Sequence, residues 1–215
     1  DEVDFEREYL DYARRYLTNI VGKYGPHVQA LLKKASGVEL KMLLPLHGPV
    51  WRTNLGYIVD KYVKWSTYTP EEDGVLIIYG SMYRSSENAA RSLARRLVER
   101  GVTNLKLYDV SKTHESYLIA EAFKYSHMVL VAPTYNLNLY PPMENFLQHM
   151  KLLNLQNRTI GLISNGSWAP TSGRIMREII DEMKNMTILD EEVELVSSMS
   201  ERDDDAMDAL ADSIK

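Results

Sequence analysis

The chain has 215 residues, 45% of them hydrophobic, enough for one large domain or two smaller ones with a buried core. Its 25 basic and 30 acidic residues leave a net charge of −5, which excludes the basic footprint of a nucleic-acid or anionic-membrane binder. The absence of cysteine excludes disulfides, thiolate metal sites and cysteine nucleophiles, so redox chemistry would need a bound cofactor.

No apolar run approaches the ~20 residues of a membrane span, and the acidic start is unlike a signal peptide, so a cytoplasmic location is expected. The start at Asp1, without a methionine, suggests a processed or truncated product. Tyr9, Ala13, Tyr16, Leu17 and Ile20 recur at helical spacing and predict a helix over 3–21, stopped by Gly22, Gly25 and Pro26. A second helix carries Val28, Leu31 and Leu32 and stops at Ser36-Gly37. Residues 38–44 alternate and predict a half-buried strand that Pro45 ends; helical period returns from Asn54 to Lys64. A lone strand has nothing to bond with, which implies that residues 1–68 are the tail of a larger domain. Thr69 to Gly74 reads as a polar linker, and residues 69–215 as a second domain.

Strand and helix signals then alternate. Strands are predicted at 75–79, 104–110, 127–132, 159–164 and 192–196. Helices are predicted at 86–100, 116–124, from Pro141 through Met150, at 172–184 and at 203–214. The pattern is that of an α/β fold with a doubly wound five-stranded parallel sheet, for which one common winding has the order 2-1-3-4-5, the order expected here. In such a sheet ligands sit beyond the carboxyl ends of strands one and three, where the winding reverses. Those ends carry Ser81, Met82, Tyr83, Arg84, Ser85 and Ser86 after strand one, and Pro133, Thr134, Tyr135 and Asn136 after strand three. Ser164, Asn165, Gly166, Ser167 and Trp168 follow strand four.

The first loop joins an apolar strand to a helix start, where unpaired N–H groups and the hydroxyls of Ser81, Ser85 and Ser86 suit a phosphate; a capped βα turn is the plain alternative. Tyr83, Tyr135, Asn136, Gly166 and Trp168 offer flat faces and backbone donors to an isoalloxazine ring, against ordinary loop packing as the alternative. The loop lacks the lysine and second glycine of a Walker nucleotide site, and strand one lacks the acidic pair of a magnesium-binding receiver domain.

Residues 65–88 (WSTYTPEEDGVLIIYGSMYRSSEN), PTYN at 133–136 and SNGSWAP at 164–170 resemble the flavodoxin domain of the A-type flavoproteins, or flavodiiron proteins. Upstream, Pro45-Leu46-His47-Gly48-Pro49-Val50-Trp51 is similar to the segment where that family's metallo-β-lactamase-like domain supplies its last histidine to a non-haem diiron centre. The resemblance covers essentially the whole chain. It implies a flavodoxin-like fold for residues 69–215 and a metallo-β-lactamase-like remnant over 1–68. It also implies FMN, with Ser81, Tyr83, Ser85 and Ser86 at the phosphate and Met82, Tyr135, Asn136 and Trp168 at the ring. His47 is carried over as a metal ligand, a hydrogen-bonded turn histidine being the alternative; His27, His114, His127 and His149 are read as incidental.

Implied further are electrons from a rubredoxin or a flavin reductase, O2 or NO as substrate, and a head-to-tail homodimer. No catalytic acid, base or nucleophile is identified. There are two departures. No HxExDH motif occurs, so the diiron centre is expected only with an upstream domain, and this chain alone is expected to carry electrons. Arg84 stands where flavodoxin phosphate loops commonly have glycine or a small residue. The alternatives are a stand-alone flavodoxin-like carrier, an FMN-dependent NAD(P)H reductase, for which no nicotinamide motif is apparent, and a structural domain with decayed loops.

Overall fold

The computed structural model describes residues 3–214. Its first part is helical. Helix α1 (Phe5–Glu8) starts at Asp4, whose carboxylate accepts from the Arg7 amide at 3.2 Å. Helix α2 (Leu10–Tyr16) continues through a π-turn at Leu17–Val21 and a 3-10 turn at Gly22–Tyr24 into α3 (Gly25–Ala35). The helix expected over 3–21 is therefore broken at Tyr9, and the glycines bend the chain without stopping it. A side chain at Gly25 would strike the Ser66 carbonyl, so only glycine lets α3 approach the end of α4 (Leu55–Ser66) this closely. Leu10, Leu17 and Trp65 form a small core between these helices.

The strand expected over 38–44 does not form. Only an antiparallel bridge between Leu43 and Trp51 is made, with N···O distances of 2.9 and 3.0 Å. Val38, Leu40, Met42 and Leu44 keep the alternation of a strand but are exposed, because among the described residues no neighbouring strand offers a ladder.

The stretch read as a linker is no tether. Strand β1 (Glu72–Tyr79) already begins inside it, and Glu71 is 7% exposed. The Glu71 carboxylate accepts from Arg14 Nε at 2.6 Å, Lys61 Nζ at 2.7 Å and Trp65 Nε1 at 2.9 Å, and the Glu71 amide donates to the Lys124 carbonyl at 2.9 Å. Arg14 itself is buried. A second tie runs from α2 to the next unit: Arg15 donates to the Ser116 hydroxyl at 2.8 Å and stacks over the Tyr117 ring at 3.8 Å.

After β1 come α5 (Ser85–Glu99), β2 (Leu105–Asp109), α6 (Glu115–Lys124), β3 (Tyr125–Tyr135), β4 (Asn138–Leu139) and α7 (Pro141–Leu152). Then follow β5 (Thr159–Gly166), α8 (Ser172–Asp181), β6 (Thr187–Ile188), β7 (Val193–Val196) and α9 (Asp204–Ile214). The parallel order is β2-β1-β3-β5-β6, with β7 also parallel to β5, so the expected 2-1-3-4-5 winding is present. The fifth position is split. Thr187–Ile188 pairs with Thr159–Ile160 and Val193–Val196 with Ile163–Gly166, while the acidic residues Asp190, Glu191 and Glu192 lie between the two pieces.

Successive β1 side chains enter opposite cores, as a sheet covered on both faces requires. Leu76 and Ile78 pack with Phe123, Phe146, Met150 and Ile180 of α6, α7 and α8. Val75, Ile77 and Tyr79 pack with Leu93, Leu97, Leu210 and Ile214 of α5 and α9. No helix among the described residues is long and apolar enough to cross a membrane.

Candidate functional site

The sheet register sets the three predicted loops side by side. Tyr79 pairs with Val131, and the Gly80 amide donates to the Val131 carbonyl at 2.8 Å. Ala132 pairs with Ser164, and Pro133 with Asn165. The ends of β1, β3 and β5 therefore face solvent together at the winding reversal.

The first loop ends at Arg84, which occupies the N-cap of α5 with φ +71° and no side-chain cap bond. Ser81 and Ser85 are half-buried, Ser86 is buried, and Met82 and Tyr83 are exposed, Tyr83 at 89%. An uncapped helix start among three hydroxyls is the donor chemistry that a phosphate needs. Just below it, Glu87 is clasped by Arg91 at 2.9 Å and approached by Arg84 at 3.6 Å. The hydrogen bond from Arg91 holds the Glu87 carboxyl below its ordinary value, aided by the Arg84 and Arg91 charges against the opposing effect of desolvation. Burial, together with the charges of Asp109 and Glu87, pushes the Tyr79 phenol up.

The second region is not the open loop that its sequence suggests. Strand β3 runs on through Pro133, Thr134 and Tyr135, and Thr134 and Tyr135 pair antiparallel with Leu139 and Asn138. The two residues between, Asn136 and Leu137, have φ +51° and +61°, the pattern of a type I′ hairpin turn. Tyr135, Asn136 and Leu137 are thereby held out at the tip, exposed. Pro133 is buried in the strand. Thr134 Oγ1 accepts from the Thr171 amide at 2.9 Å and the Ser172 amide at 3.2 Å, capping α8 from another strand. Thr134→Val should therefore cost about 1 to 2 kcal/mol in urea unfolding, as lost caps do, with Thr134→Ser recovering most of it.

In the third region Ser164 and Asn165 are buried ladder residues, because β5 extends to Gly166. Asn165 Nδ2 donates to the Ser197 carbonyl at 3.0 Å, and Gly173 packs so tightly on Ser164 that a Cβ there would lie 3.1 Å from the Ser164 Cβ. Ser167 is exposed and accepts from the Ser197 hydroxyl at 3.0 Å; Trp168 stands 90% exposed beyond it. The edge thus presents Met82, Tyr83, Tyr135 and Trp168 as apolar surface, while Pro133, Thr134, Ser164 and Asn165 build its floor.

Sequence reasoning overlooked Tyr140, Ser111, Thr171 and Ser197. The Tyr140 ring lies under the first loop, where a Cβ on Gly80 would come within 2.5 Å of it, and its hydroxyl is 3.0 Å from Ser111 Oγ at the end of β2. Thr171 Oγ1 is buried with no partner. The end of β2 adjoins that of β1, so the loop after β2 marks Ser111, whereas Tyr140 comes from the start of α7, far along the chain. Strain also collects here. Five of the nine described non-glycine residues with positive φ are asparagines, whereas three of the other four, Arg84, Leu137 and Ser197, lie on this edge. Backbone outliers of this kind cluster at binding sites.

A flavin mononucleotide fits this donor set: uncapped N–H groups and hydroxyls for its phosphate, and exposed aromatic faces for its ring. A diiron centre does not. His47 is exposed with its ring 5.3 Å from that of Tyr16, and among the described residues no group of three or more histidine or carboxylate side chains is placed to hold a metal.

The family model described as Flavodoxin matches residues 77–197. Rubredoxin-oxygen oxidoreductase of Megalodesulfovibrio gigas is 29% identical over 174 residues, covering 79% of this chain and 43% of that protein. Anaerobic nitric oxide reductase flavorubredoxin of Aeromonas hydrophila is 27% identical over 181 residues, covering 82% and 36%. The solved structure of rubredoxin oxygen:oxidoreductase from Desulfovibrio gigas superposes with a TM-score of 0.82 at 26% identity, over 94% of this chain and 50% of that one. The chain thus spans less than half the length of these curated relatives.

Proposed function

The chain belongs to the flavodoxin family, and we propose that it is the FMN-carrying, electron-transferring portion of a larger oxidoreductase of the flavodiiron type. The observation that carries this reading is the convergence of an uncapped, hydroxyl-lined helix start with exposed Tyr135 and Trp168 at one sheet edge. When bound there, FMN would supply one- and two-electron chemistry. The chain's own part is to bind and orient. Ser81, Tyr83, Ser85, Ser86 and the first-turn amides of α5 hold the phosphate; Met82, Tyr135, Asn136 and Trp168 flank the ring. The Thr134 cap and the buried Ser164 and Asn165 keep the hairpin and the third loop fixed relative to each other.

Residues 1–68 are proposed as the end of a metallo-β-lactamase-like domain, which accounts for strand-like residues 38–44 lying exposed. His47 is proposed as one ligand of an iron site completed by residues outside this sequence. The whole protein would then take electrons from a rubredoxin or a flavin reductase and pass them to O2 or NO, in the cytoplasm and as a head-to-tail homodimer.

Titration of the 215-residue chain with FMN and with riboflavin tests the core of this reading. FMN is expected to bind at least about 100-fold more tightly, since two or more charge-assisted phosphate bonds each contribute about 1.5 to 3 kcal/mol. Equal affinity for both flavins, or no uptake of either, would refute it.

A further inference from the structure

We propose that Arg84 determines the phosphate specificity of the flavin site, its guanidinium leaving Glu87 to clamp the phosphate. The inference rests on the FMN reading. Three independent features carry it.

The first is backbone cost. At φ +71° a glycine is free of strain, asparagine is the common substitute elsewhere in this chain, and an arginine costs about 1 kcal/mol. Little in the folded chain offsets that cost, because Arg84 is 79% exposed, forms no side-chain cap and reaches Glu87 only at 3.6 Å.

The second is a weak existing partner. Arg84 Nε reaches Glu87 Oε2 only at 3.6 Å, whereas Glu87 Oε1 is held by Arg91 at 2.9 Å, so Glu87 keeps a cationic partner when Arg84 departs. The third is chemistry. The rest of the donor set is neutral, and a guanidinium presents a planar fork that matches two phosphate oxygens. From the N-cap, Arg84 stands at the mouth of the helix start where that phosphate would lie. Its charge is not duplicated there: Lys112 is paired with Asp109 at 3.0 Å, and Arg91 with Glu87.

The test is binding of FMN and riboflavin to the unsubstituted chain, Arg84→Gly and Arg84→Lys, each at low and high salt. Arg84→Gly should weaken FMN about tenfold, leave riboflavin unchanged and flatten the salt dependence of FMN binding. The same variant should raise the thermal midpoint of the flavin-free protein, because glycine removes the strain; a merely structural arginine would not move affinity and stability in opposite directions. Arg84→Lys should keep the salt dependence and recover only part of the affinity. FMN uptake that Arg84→Gly leaves unchanged, or a parallel loss for riboflavin, overturns this inference alone. No FMN uptake by the unsubstituted chain overturns the flavin reading and this inference with it.

Discussion

Glu71→Gln is expected to destabilise the chain by about 3 to 5 kcal/mol at neutral pH, the usual consequence of removing one member of a buried ion pair. Glu71 has a fully buried carboxylate, and the charge it balances, on Arg14, is itself 1% exposed. Its removal leaves Arg14, among the described residues, with the exposed Asp11 as its one carboxylate partner, and a glutamine keeps only one accepting oxygen for the four donors of Arg14, Lys61 and Trp65. Arg14→Met combined with Glu71→Gln should recover part of the loss, since the stranded charge is then gone.

The pH dependence gives a sharper test. Burial works to raise the Glu71 pKa, but the hydrogen bond and charge of Arg14, with Lys61 and Trp65, overcome it and bring the carboxyl to about 2 from an ordinary 4.5. A carboxylate depressed in the folded state contributes stability that is complete above its unfolded value and disappears as pH falls through the folded one. The stability gap between the unsubstituted chain and Glu71→Gln should therefore be widest above pH 4.5 and narrow steadily toward pH 2. Urea unfolding followed by circular dichroism at several pH values measures it. A gap that stays constant over that window would show that Glu71 acts by packing and not by charge.

Glu71 also shows what the sequence conceals. Within TPEEDG it looks like one acid among three in a polar turn, and nothing local marks it as the acceptor for an arginine 57 positions earlier. What was legible was periodic. The unbroken apolar run Val75–Tyr79 identified a strand covered on both faces, and the stripe on α5 identified its helix. Alternation gave the doubly wound class; the order 2-1-3-4-5 came with the choice of a five-stranded winding, and the sheet has it.

Failures came where pairing depends on distant chain. Residues 38–44 carry the right alternation but lack a ladder. The β3–β4 hairpin is local and was hidden for another reason: PTYNLNLY begins with proline and turns at Asn136-Leu137, a pair outside the usual Asn-Gly signal. Distant pairing also left the candidate site legible by region but not by role. Ser164 and Asn165 look like loop residues until the ladder to β7 is seen to include them.

Arg158→Met is the companion to Glu71→Gln, with a similar expected loss of about 3 to 5 kcal/mol. Arg158 is 1% exposed and is held by carbonyl dipoles: Nε donates to Ala122 at 2.9 Å, Nη2 to Phe123 at 2.7 Å, and Nη1 to Tyr68 at 2.8 Å and Gln156 at 2.7 Å. Burial pushes its pKa down to about 9, still above neutrality, so the guanidinium stays charged. It closes the carboxyl end of α6, the segment leaving α4 and the start of β5 with one planar group. Lysine has neither the fork nor the number of donors, so Arg158→Lys should rescue little.

Arg158 and Glu71 both lie at the amino-terminal edge of the sheet, next to the starts of β5 and β1. The eight residues of β5 set that edge about 25 Å from the edge proposed to hold the flavin. Chain that remains folded with Arg158→Met should therefore bind FMN with near-normal affinity while its urea midpoint falls. Loss of FMN affinity in the folded variant would mean that the clamp at one end of the sheet sets the geometry at the other, and the separation of stabilising and binding edges would have to be abandoned.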